Sequence, residues 1–195
     1  MSDHRLFVSI DMPTPVVEAV GTIQQPIRDL PGIRPVAPDQ SHVTVKFLGD
    51  VPTEAVDTVT EHLHTAVTEA NVDPFTAQLG GLGVFPSWDY ISVIWLGVPT
   101  GGSAIEALHE AIETRVVEAG YPAESHEFTP HVTIARMDSA AAKERVQRFI
   151  REEDPLTEEF TVKALHLKES HLVETGPVYQ TRATIPLPGG DSSPA

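Results

Sequence analysis

The chain has 195 residues and a mass of 21.1 kDa, with 41% hydrophobic and 21% charged residues, which is the composition of one folded domain or two small lobes and excludes a disordered protein. It contains no cysteine, which excludes disulfides, thiolate nucleophiles, iron–sulfur clusters and cysteine zinc sites. Its 13 Lys and Arg against 28 Asp and Glu give a net charge of −15, which excludes a surface that is basic overall, as a binder of duplex nucleic acid would have.

The first half of the chain predicts two strands, each followed by a helix. Charged residues lie among the first eleven positions, where a secretion signal would need an apolar core, so we expect a cytoplasmic protein. Thr14 and Pro15 are typical of a helix start, and apolar residues then recur at helical spacing, with a kink expected at Pro26. In chain order, the predicted elements are a strand over 6–10, a helix over 14–30, a strand over 42–48 and a helix over 53–67.

The second half of the chain predicts several hairpins around two further helices. Ser103 followed by Glu106 has the pattern of a capping box at a helix start. The apolar run over 90–98 is shorter than the roughly 20 residues that cross a membrane, so it predicts a buried strand. In chain order, the predicted elements are strands over 75–79, 82–85 and 90–96, a helix over 103–120, a strand over 128–134, a helix from 138 or 139 to 150, and strands over 160–167 and 178–185.

These elements predict an α+β fold with antiparallel sheets, because short turns join several of the strands. The chain also looks duplicated: His-Val-Thr-Val begins at His42 and His-Val-Thr-Ile begins at His131, and each is followed by a turn and a helix. We therefore predict two pseudo-symmetric lobes, each an antiparallel sheet with flanking helices, enclosing a central cleft. Residues 1–186 would form this single bilobal domain and residues 187–195 a flexible tail.

The duplicated motifs carry the candidate chemistry. Side chains alternate faces along a strand, so His42 and Thr44 project together, as do His131 and Thr133. If a pseudo-twofold axis relates the lobes, two imidazoles and two hydroxyls converge on one cleft. One such motif is a weak signal, because a histidine near a threonine is usually a half-exposed strand face. Two copies in the same sequence context indicate a site.

The sequence resembles the two-histidine phosphoesterase superfamily, and within it the RNA 2′,3′-cyclic phosphodiesterase branch, which is also called 2′-5′ RNA ligase. The likeness covers nearly the whole chain. The segments that carry it are 5–11, 42–49, 81–86, 93–97, 128–136 and 165–170, together with Tyr179.

The resemblance implies metal-independent hydrolysis of RNA 2′,3′-cyclic phosphate ends, with His42 as proton donor and His131 as proton acceptor, leaving a 2′-phosphate. The residues alone leave the direction open, because the two motifs are nearly symmetrical. The chemistry suits these residue types, since imidazole titrates near neutral pH and hydroxyls can hold phosphate oxygens. We expect Thr44 and Thr133 to bind the phosphate. Reverse ligation of tRNA halves through a 2′-5′ bond would use the same groups.

Three further residues are candidates around this site. Arg136 matches an arginine of the family motif and would bind phosphate, but strict alternation places it on the opposite face from His131, so it needs a bulge or the strand end to reach the cleft. Lys46 shares the parity of His42, so it either lines the cleft entrance or is an ordinary surface lysine. Phe7 either stacks on a base or belongs to the core, and the core is favoured.

We expect a monomeric enzyme that needs no metal or cofactor and acts on RNA with a cyclic phosphate end or on a small cyclic nucleotide, including tRNA fragments. The alternative is a nucleotide- or RNA-binding module that kept the cleft without turnover. Both histidines and both threonines are present, which favours the enzyme, because binding alone would need neither an acid nor a base.

The spread of acidic residues along the chain suggests a halophilic protein. A large charge of one sign destabilises a fold by self-repulsion unless salt screens it, and the Debye length falls to about 3 Å in 1 M salt. Adaptation to a high-salt cytoplasm is therefore our interpretation, and an ordinary acidic enzyme is the alternative.

Overall fold

The computed structural model describes residues 3–173 and 176–189 of the chain, which form nine strands and four α-helices. In chain order, these are β1 (Asp3–Asp11), α1 (Thr14–Gln24), β2 (Ile33–Pro35), β3 (His42–Pro52), α2 (Val56–Ala70), β4 (Phe75–Pro86), β5 (Ile91–Thr100), α3 (Gly102–Glu118), β6 (His131–Met137), α4 (Lys143–Glu152), β7 (Phe160–Val162), β8 (Ala164–Val173) and β9 (Gly176–Pro186). Short 3₁₀ turns precede β3, α2 and α4.

The strands follow the order β7-β4-β5-β6-β3-β1-β8-β9, with β2 added on β6, and every paired neighbour is antiparallel. The order is symmetrical about its centre: β3 and β6 lie side by side, β1 and β5 flank them, and a further pair of strands lies outside each. β3 and β6 are joined through the pair Val43 and Val132. The predicted α+β class with two equivalent halves is confirmed.

The hydrophobic core lies on the face of the sheet that carries the helices. Val43 and Val132, between the histidine and the threonine of each motif, are 1% and 0% exposed. α2 and α3 pack on each other, α3 contacts β3 and α1 contacts β6. The apolar stripes predicted for the two longer helices are buried, namely Val56, Val59, Leu63 and Val67 on α2 and Ile105, Leu108, Ile112 and Val116 on α3. Full burial of such side chains stabilises the fold by about 1.5–3 kcal/mol each.

Each central strand carries a β-bulge at the same place in its motif. In β3, Thr44 pairs with Ser9 and Lys46 pairs with Val8, so Val45 is the extra residue. In β6, the extra residue is Ile134, three positions after His131, as Val45 is three positions after His42. Because a bulge adds one residue to one strand, the side chains beyond it exchange faces. This reversal decides which later residues share a face with the histidines.

Some predicted boundaries are wrong for identifiable reasons. α1 ends at Gln24, because Pro26 cannot continue it, whereas the apolar spacing predicted a kinked helix to residue 30. α3 begins after Gly101, whose φ of +83° suits glycine, and Ser103 lies inside the helix without capping it. The two strands predicted over 75–85 are one strand, β4.

Leu187, the first residue of the predicted tail, is packed into the fold. Leu187 is 2% exposed, and its backbone N–H donates to the Lys163 carbonyl at 2.9 Å. Residues 190–195 lie outside the described part of the chain. Among the described helices, none has the length and apolar character needed to cross a bilayer.

Candidate active site

The two His-x-Thr motifs meet at the centre of the sheet, where β3 and β6 are paired. Val43 and Val132 are opposite each other, so their neighbours face one another across the same antiparallel register. The register sets each histidine beside the threonine of the other motif, His42 beside Thr133 and His131 beside Thr44. All four side chains are partly exposed on one face of the sheet, which we call the histidine face. The structure therefore brings together the four residues that the duplication singles out.

Both imidazole rings are held by the same kind of hydrogen bond. His42 Nδ1 lies 2.8 Å from the Gln40 carbonyl oxygen, and His131 Nδ1 lies 2.6 Å from the Thr129 carbonyl oxygen. A carbonyl can only accept, so each Nδ1 carries a proton and donates it. In the neutral ring, Nε2 is then the basic nitrogen. This hydrogen bond leaves Nε2 of each ring as the nitrogen that can accept or donate a proton.

Aromatic rings pack around both histidines and fix their orientation. The ring centroid of His42 lies 5.2 Å from that of Phe7 and 5.1 Å from that of Tyr179. The His131 centroid lies 5.0 Å from that of Phe85 and 5.9 Å from that of Trp95. These contacts remove water from part of each ring, so burial lowers the pKa of both histidines.

Gly83 allows Trp95 to reach its place beside His131. The Trp95 indole lies against the backbone of Gly83, where a Cβ atom would overlap the ring. These two residues are opposite each other in the β4–β5 ladder. The glycine therefore leaves room for the aromatic wall that supports the second histidine.

The charges around the two histidines are not symmetrical. Burial lowers the pKa of His42, while its bond to Gln40 and the Asp11 carboxylate raise it and the charges of Lys168 and His131 lower it. Burial also lowers the pKa of His131, while its bond to Thr129 raises it and Arg136 lowers it. A carboxylate thus favours the protonated form of His42, and a guanidinium favours the neutral form of His131.

Arg136 reaches the histidine face because of the bulge at Ile134. Thr133 pairs with Trp95, and Arg136 pairs with Val93 two residues before it, so the side chains of Thr133 and Arg136 lie on the same face. The sequence required a bulge or a strand end for this, and the bulge is present. The charge of Arg136 lowers the pKa of His131 and opposes the rise that burial causes in the pKa of Tyr179.

Lys46 is neither at the cleft entrance nor an ordinary surface lysine, so both expectations for it are wrong. The bulge at Val45 turns Lys46 to the helix side of the sheet, where its side chain is 1% exposed. Its Nζ lies 2.7 Å from Glu113 Oε2 on α3 and donates to the Pro122 carbonyl at 2.8 Å. Lys46 is therefore a buried structural lysine, and the Glu113 carboxylate that pairs with it is partly exposed.

Phe7 is 3% exposed, so its ring cannot stack on a base, and the alternative that it is part of the packed interior holds. It lies beneath His42 and Tyr179 and supports both. The bulge that buries Lys46 brings Phe47 to the histidine face instead, and Phe47 is 62% exposed. Sequence reasoning missed Phe47, although it stands five residues after His42, as Arg136 stands five residues after His131.

Asp11, Lys168 and Tyr179 were also missed as neighbours of the site. Asp11 lies opposite His42 in the β1–β3 ladder, and its Oδ2 lies 2.6 Å from Lys168 Nζ. Tyr179 belongs to β9 at the edge of the sheet. Only the order of the strands brings these side chains to His42, and no local pattern in the sequence indicates that they lie near it. In residues 3–173 and 176–189, no three acidic or histidine side chains are grouped so that they could hold a metal ion.

Comparison with known proteins identifies relatives of the whole chain. Residues 13–174 match the model of the 2′-5′ RNA ligase superfamily. The RNA 2′,3′-cyclic phosphodiesterase of Methanocaldococcus jannaschii is 30% identical over 180 residues, covering 90% of this chain and 96% of that protein. The protein of the same name from Thermus thermophilus is 30% identical over 191 residues, covering 95% and 91%.

Two solved structures share the fold. The crystal structure of TT0787 of Thermus thermophilus superposes with a TM-score of 0.77 and 28% identity, covering 94% of this chain and 97% of that one. Escherichia coli LigT complexed with 3′-AMP superposes with a TM-score of 0.72 and 22% identity, covering 96% and 99%. The second likeness, at that identity, concerns the fold alone.

Proposed function

Because the chain belongs to the 2′-5′ RNA ligase superfamily, we propose that it is an enzyme that hydrolyses RNA 2′,3′-cyclic phosphate ends to 2′-phosphates. Relatives named RNA 2′,3′-cyclic phosphodiesterase, at about 30% identity over most of their length, support this activity. The observation that carries the proposal is the cross-strand pairing of the two motifs, which puts two oriented imidazoles and two hydroxyls on one face of the sheet.

In the proposed reaction, the cyclic phosphate binds over the pair Val43 and Val132. The Thr44 and Thr133 hydroxyls donate hydrogen bonds to its non-bridging oxygens. His131 Nε2 accepts a proton from water, whose oxygen attacks phosphorus. His42 Nε2 donates a proton to O3′ as the P–O3′ bond breaks, and the phosphate stays on O2′. One water is consumed, and the two histidines exchange protonation states, which solvent then restores.

The unequal charges support this direction. The general acid must carry a proton before the reaction, and the Asp11 carboxylate favours protonated His42. The general base must be neutral, and Arg136 favours neutral His131. Arg136 can also bind the charged phosphate through its planar guanidinium. The reverse direction would need a protonated His131, and the nearby charge of Arg136 disfavours that state.

The same groups would serve a ligation. With the 5′-hydroxyl of a second RNA in the place of water, departure of O3′ would leave a 2′-5′ phosphodiester. We propose this as a secondary reaction. RNA with a cyclic phosphate end is the proposed substrate for both reactions, and tRNA fragments fall within that class.

Product analysis tests the proposed function. Incubation of 2′,3′-cyclic AMP with the protein in EDTA should give adenosine 2′-phosphate, which ³¹P NMR distinguishes from the 3′-isomer. Binding measured by calorimetry without any product would favour a binding module in place of the enzyme. Formation of the 3′-isomer would contradict the assigned direction.

A further inference from the structure

Two arginines stand directly opposite each other beside the proposed site. Arg34 of β2 pairs with Arg136 of β6, so both side chains lie on the same face of the sheet, which is the histidine face. Like charges at directly opposite positions destabilise a sheet. An anion bound between the two guanidiniums would offset this repulsion. The pairing is notable because the chain has only 13 basic residues and a net charge of −15.

Within the chain, Arg34 forms an exposed ion pair with Asp138. Its Nη2 lies 3.1 Å from Asp138 Oδ1, but the two side chains are 65% and 58% exposed. Exposed ion pairs of this kind contribute little to stability, about 0–1 kcal/mol. A phosphodiester has two non-bridging oxygens that share one negative charge, so it could accept hydrogen bonds from both arginines and would compete well for Arg34.

The position of the pair relative to the motifs suits a specific phosphate. β3 and β6 are antiparallel, so the residues five places after each histidine lie at opposite ends of the site, Phe47 at one end and Arg136 at the other. In a ribose, C2′ is bonded to C1′, which carries the base, and C3′ is bonded to C4′, which carries the 5′ substituent. The base and the 5′ substituent therefore lie on opposite sides of a phosphate that bridges O2′ and O3′. A cyclic phosphate centred between the motifs, with its base toward Phe47, directs its 5′ substituent toward Arg136.

The distance fits a neighbouring nucleotide. Arg136 follows Thr133 by three residues, which spans at most about 10 Å along a strand. Both guanidiniums extend from the sheet and can approach a phosphate from two sides. We propose that Arg34 and Arg136 form a second phosphate subsite, which holds the phosphodiester on the 5′ side of the terminal nucleotide. The inference rests on the proposed function and deepens it, because it names an RNA strand, in preference to a cyclic mononucleotide, as the better substrate.

The surface beyond the subsite also suits RNA. The tip of the β4–β5 hairpin lies at this end of the sheet and exposes Trp88 and Tyr90, by 38% and 70%. α4 holds the tip in place: Gln147 donates to the Trp88 carbonyl at 3.0 Å, and the Arg151 guanidinium lies 5.5 Å from the Trp88 ring centroid. Exposed aromatic rings beside cations are the usual platform for single-stranded nucleic acid.

The experiment compares two products that differ by one nucleotide, adenosine 2′-phosphate and adenylyl-adenosine 2′-phosphate. Calorimetric titration measures their affinities for the wild type and for Arg34→Gln. We expect Arg34→Gln to weaken the dinucleotide about tenfold, as loss of one hydrogen bond to a charged group would, and to leave the mononucleotide unchanged. In Arg34→Gln, the slope of the logarithm of the dinucleotide association constant against the logarithm of the KCl concentration should become less negative by about 0.7.

Two further variants serve as controls. Arg28→Gln removes another exposed arginine, whose Nε lies 3.6 Å from Asp29 Oδ1, and it should change neither affinity. Asp138→Asn removes the competitor of Arg34, so it should strengthen the dinucleotide and leave the mononucleotide alone. This opposite change could not result from a damaged fold.

The outcomes separate this inference from the proposed function. Equal effects of Arg34→Gln on both ligands, or no effect on either, would overturn the subsite, and so would a wild type that binds both ligands with equal affinity. These affinities do not depend on turnover. A wild type that hydrolyses neither 2′,3′-cyclic AMP nor a dinucleotide with a cyclic phosphate end would refute the proposed function instead.

Discussion

Asp11 lies directly opposite His42 in the β1–β3 ladder, with its carboxylate held by Lys168 at 2.6 Å. The corresponding partner of His131 in the β5–β6 ladder is Gly97, which has no side chain. The two halves of the molecule repeat the same motif, but within residues 3–173 and 176–189 a carboxylate acts on His42 and none acts on His131. This difference makes the acid and the base of the proposed reaction distinguishable.

The pH dependence of kcat/KM should be bell-shaped, with both limbs below the ordinary histidine pKa of 6.5, because burial lowers the pKa of His42 and of His131. Activity is lost as pH rises through the pKa of His42, which must be protonated. Asp11→Asn removes a carboxylate that raises this pKa, so the alkaline limb should move to lower pH. Lys168→Met removes a cation that lowers it, so the same limb should move to higher pH.

The measurement is kcat/KM for 2′,3′-cyclic AMP across the histidine range, about pH 5 to 8. Asp57→Asn, an exposed change of the same kind on α2, is the control and should leave both limbs in place. If Asp11→Asn moved the acid limb instead, His42 would be the general base. That result would contradict the assignment of His42 as the general acid.

Phe47→Ala should raise KM for 2′,3′-cyclic AMP about tenfold and leave kcat nearly unchanged. The ring is 62% exposed on the histidine face, and stacking of a base on an aromatic side chain contributes about 1–3 kcal/mol. Phe47→Trp should keep the low KM. A small cyclic phosphate without a base is the matched substrate, and an equal loss on that substrate would exclude stacking.

Lys46→Met should lower the free energy of unfolding by about 3 kcal/mol and leave kcat/KM unchanged. Lys46 is buried and paired with Glu113. Burial would raise the pKa of Glu113, but the hydrogen bond and charge of Lys46 and the Glu124 N–H bond lower it, so removal of Lys46 leaves a poorly compensated carboxylate. Unfolding in guanidinium chloride measures the loss, and Lys46→Met with Glu113→Gln should recover part of it. If Lys46→Met were as stable as the wild type and had a raised KM, the structural role would be contradicted and Lys46 would be a substrate contact.

The strand pattern predicted the fold class and the apolar stripes of the helices, because these depend on local periodicity. The convergence of the two motifs was predicted from the duplication, since equivalent strands of two repeats can face each other across a pseudo-twofold axis. The bulges account for most of what was missed. Strict alternation placed Lys46 on the histidine face and overlooked Phe47, since one inserted residue at Val45 exchanges their faces.

The same reasoning required a bulge for Arg136, and the repeat places an equivalent bulge in β3. Applied to both copies of the motif, that requirement would have predicted Phe47 correctly. The neighbours of His42 had no such signal. Asp11, Lys168 and Tyr179 come from three other strands, and only the order β3-β1-β8-β9 brings them together.

The melting temperature should rise steeply between low and molar KCl if the chain is adapted to high salt. A net charge of −15 repels itself within the fold, and 1 M salt shortens the Debye length to about 3 Å. Thermal unfolding followed by circular dichroism in a KCl series measures this, with sorbitol at equal osmolarity as the uncharged control. Equal melting temperatures throughout would show an ordinary acidic protein.

The most direct test of the account is the rate of 2′,3′-cyclic AMP hydrolysis by His42→Ala and His131→Ala in the presence of EDTA. Each variant should lose about 10³-fold in kcat/KM, because each loses one of the two proton transfers. The far-UV circular dichroism of both should match that of the wild type, because both side chains lie partly exposed on the sheet surface. Wild-type turnover by either folded variant would contradict a mechanism that uses both imidazoles.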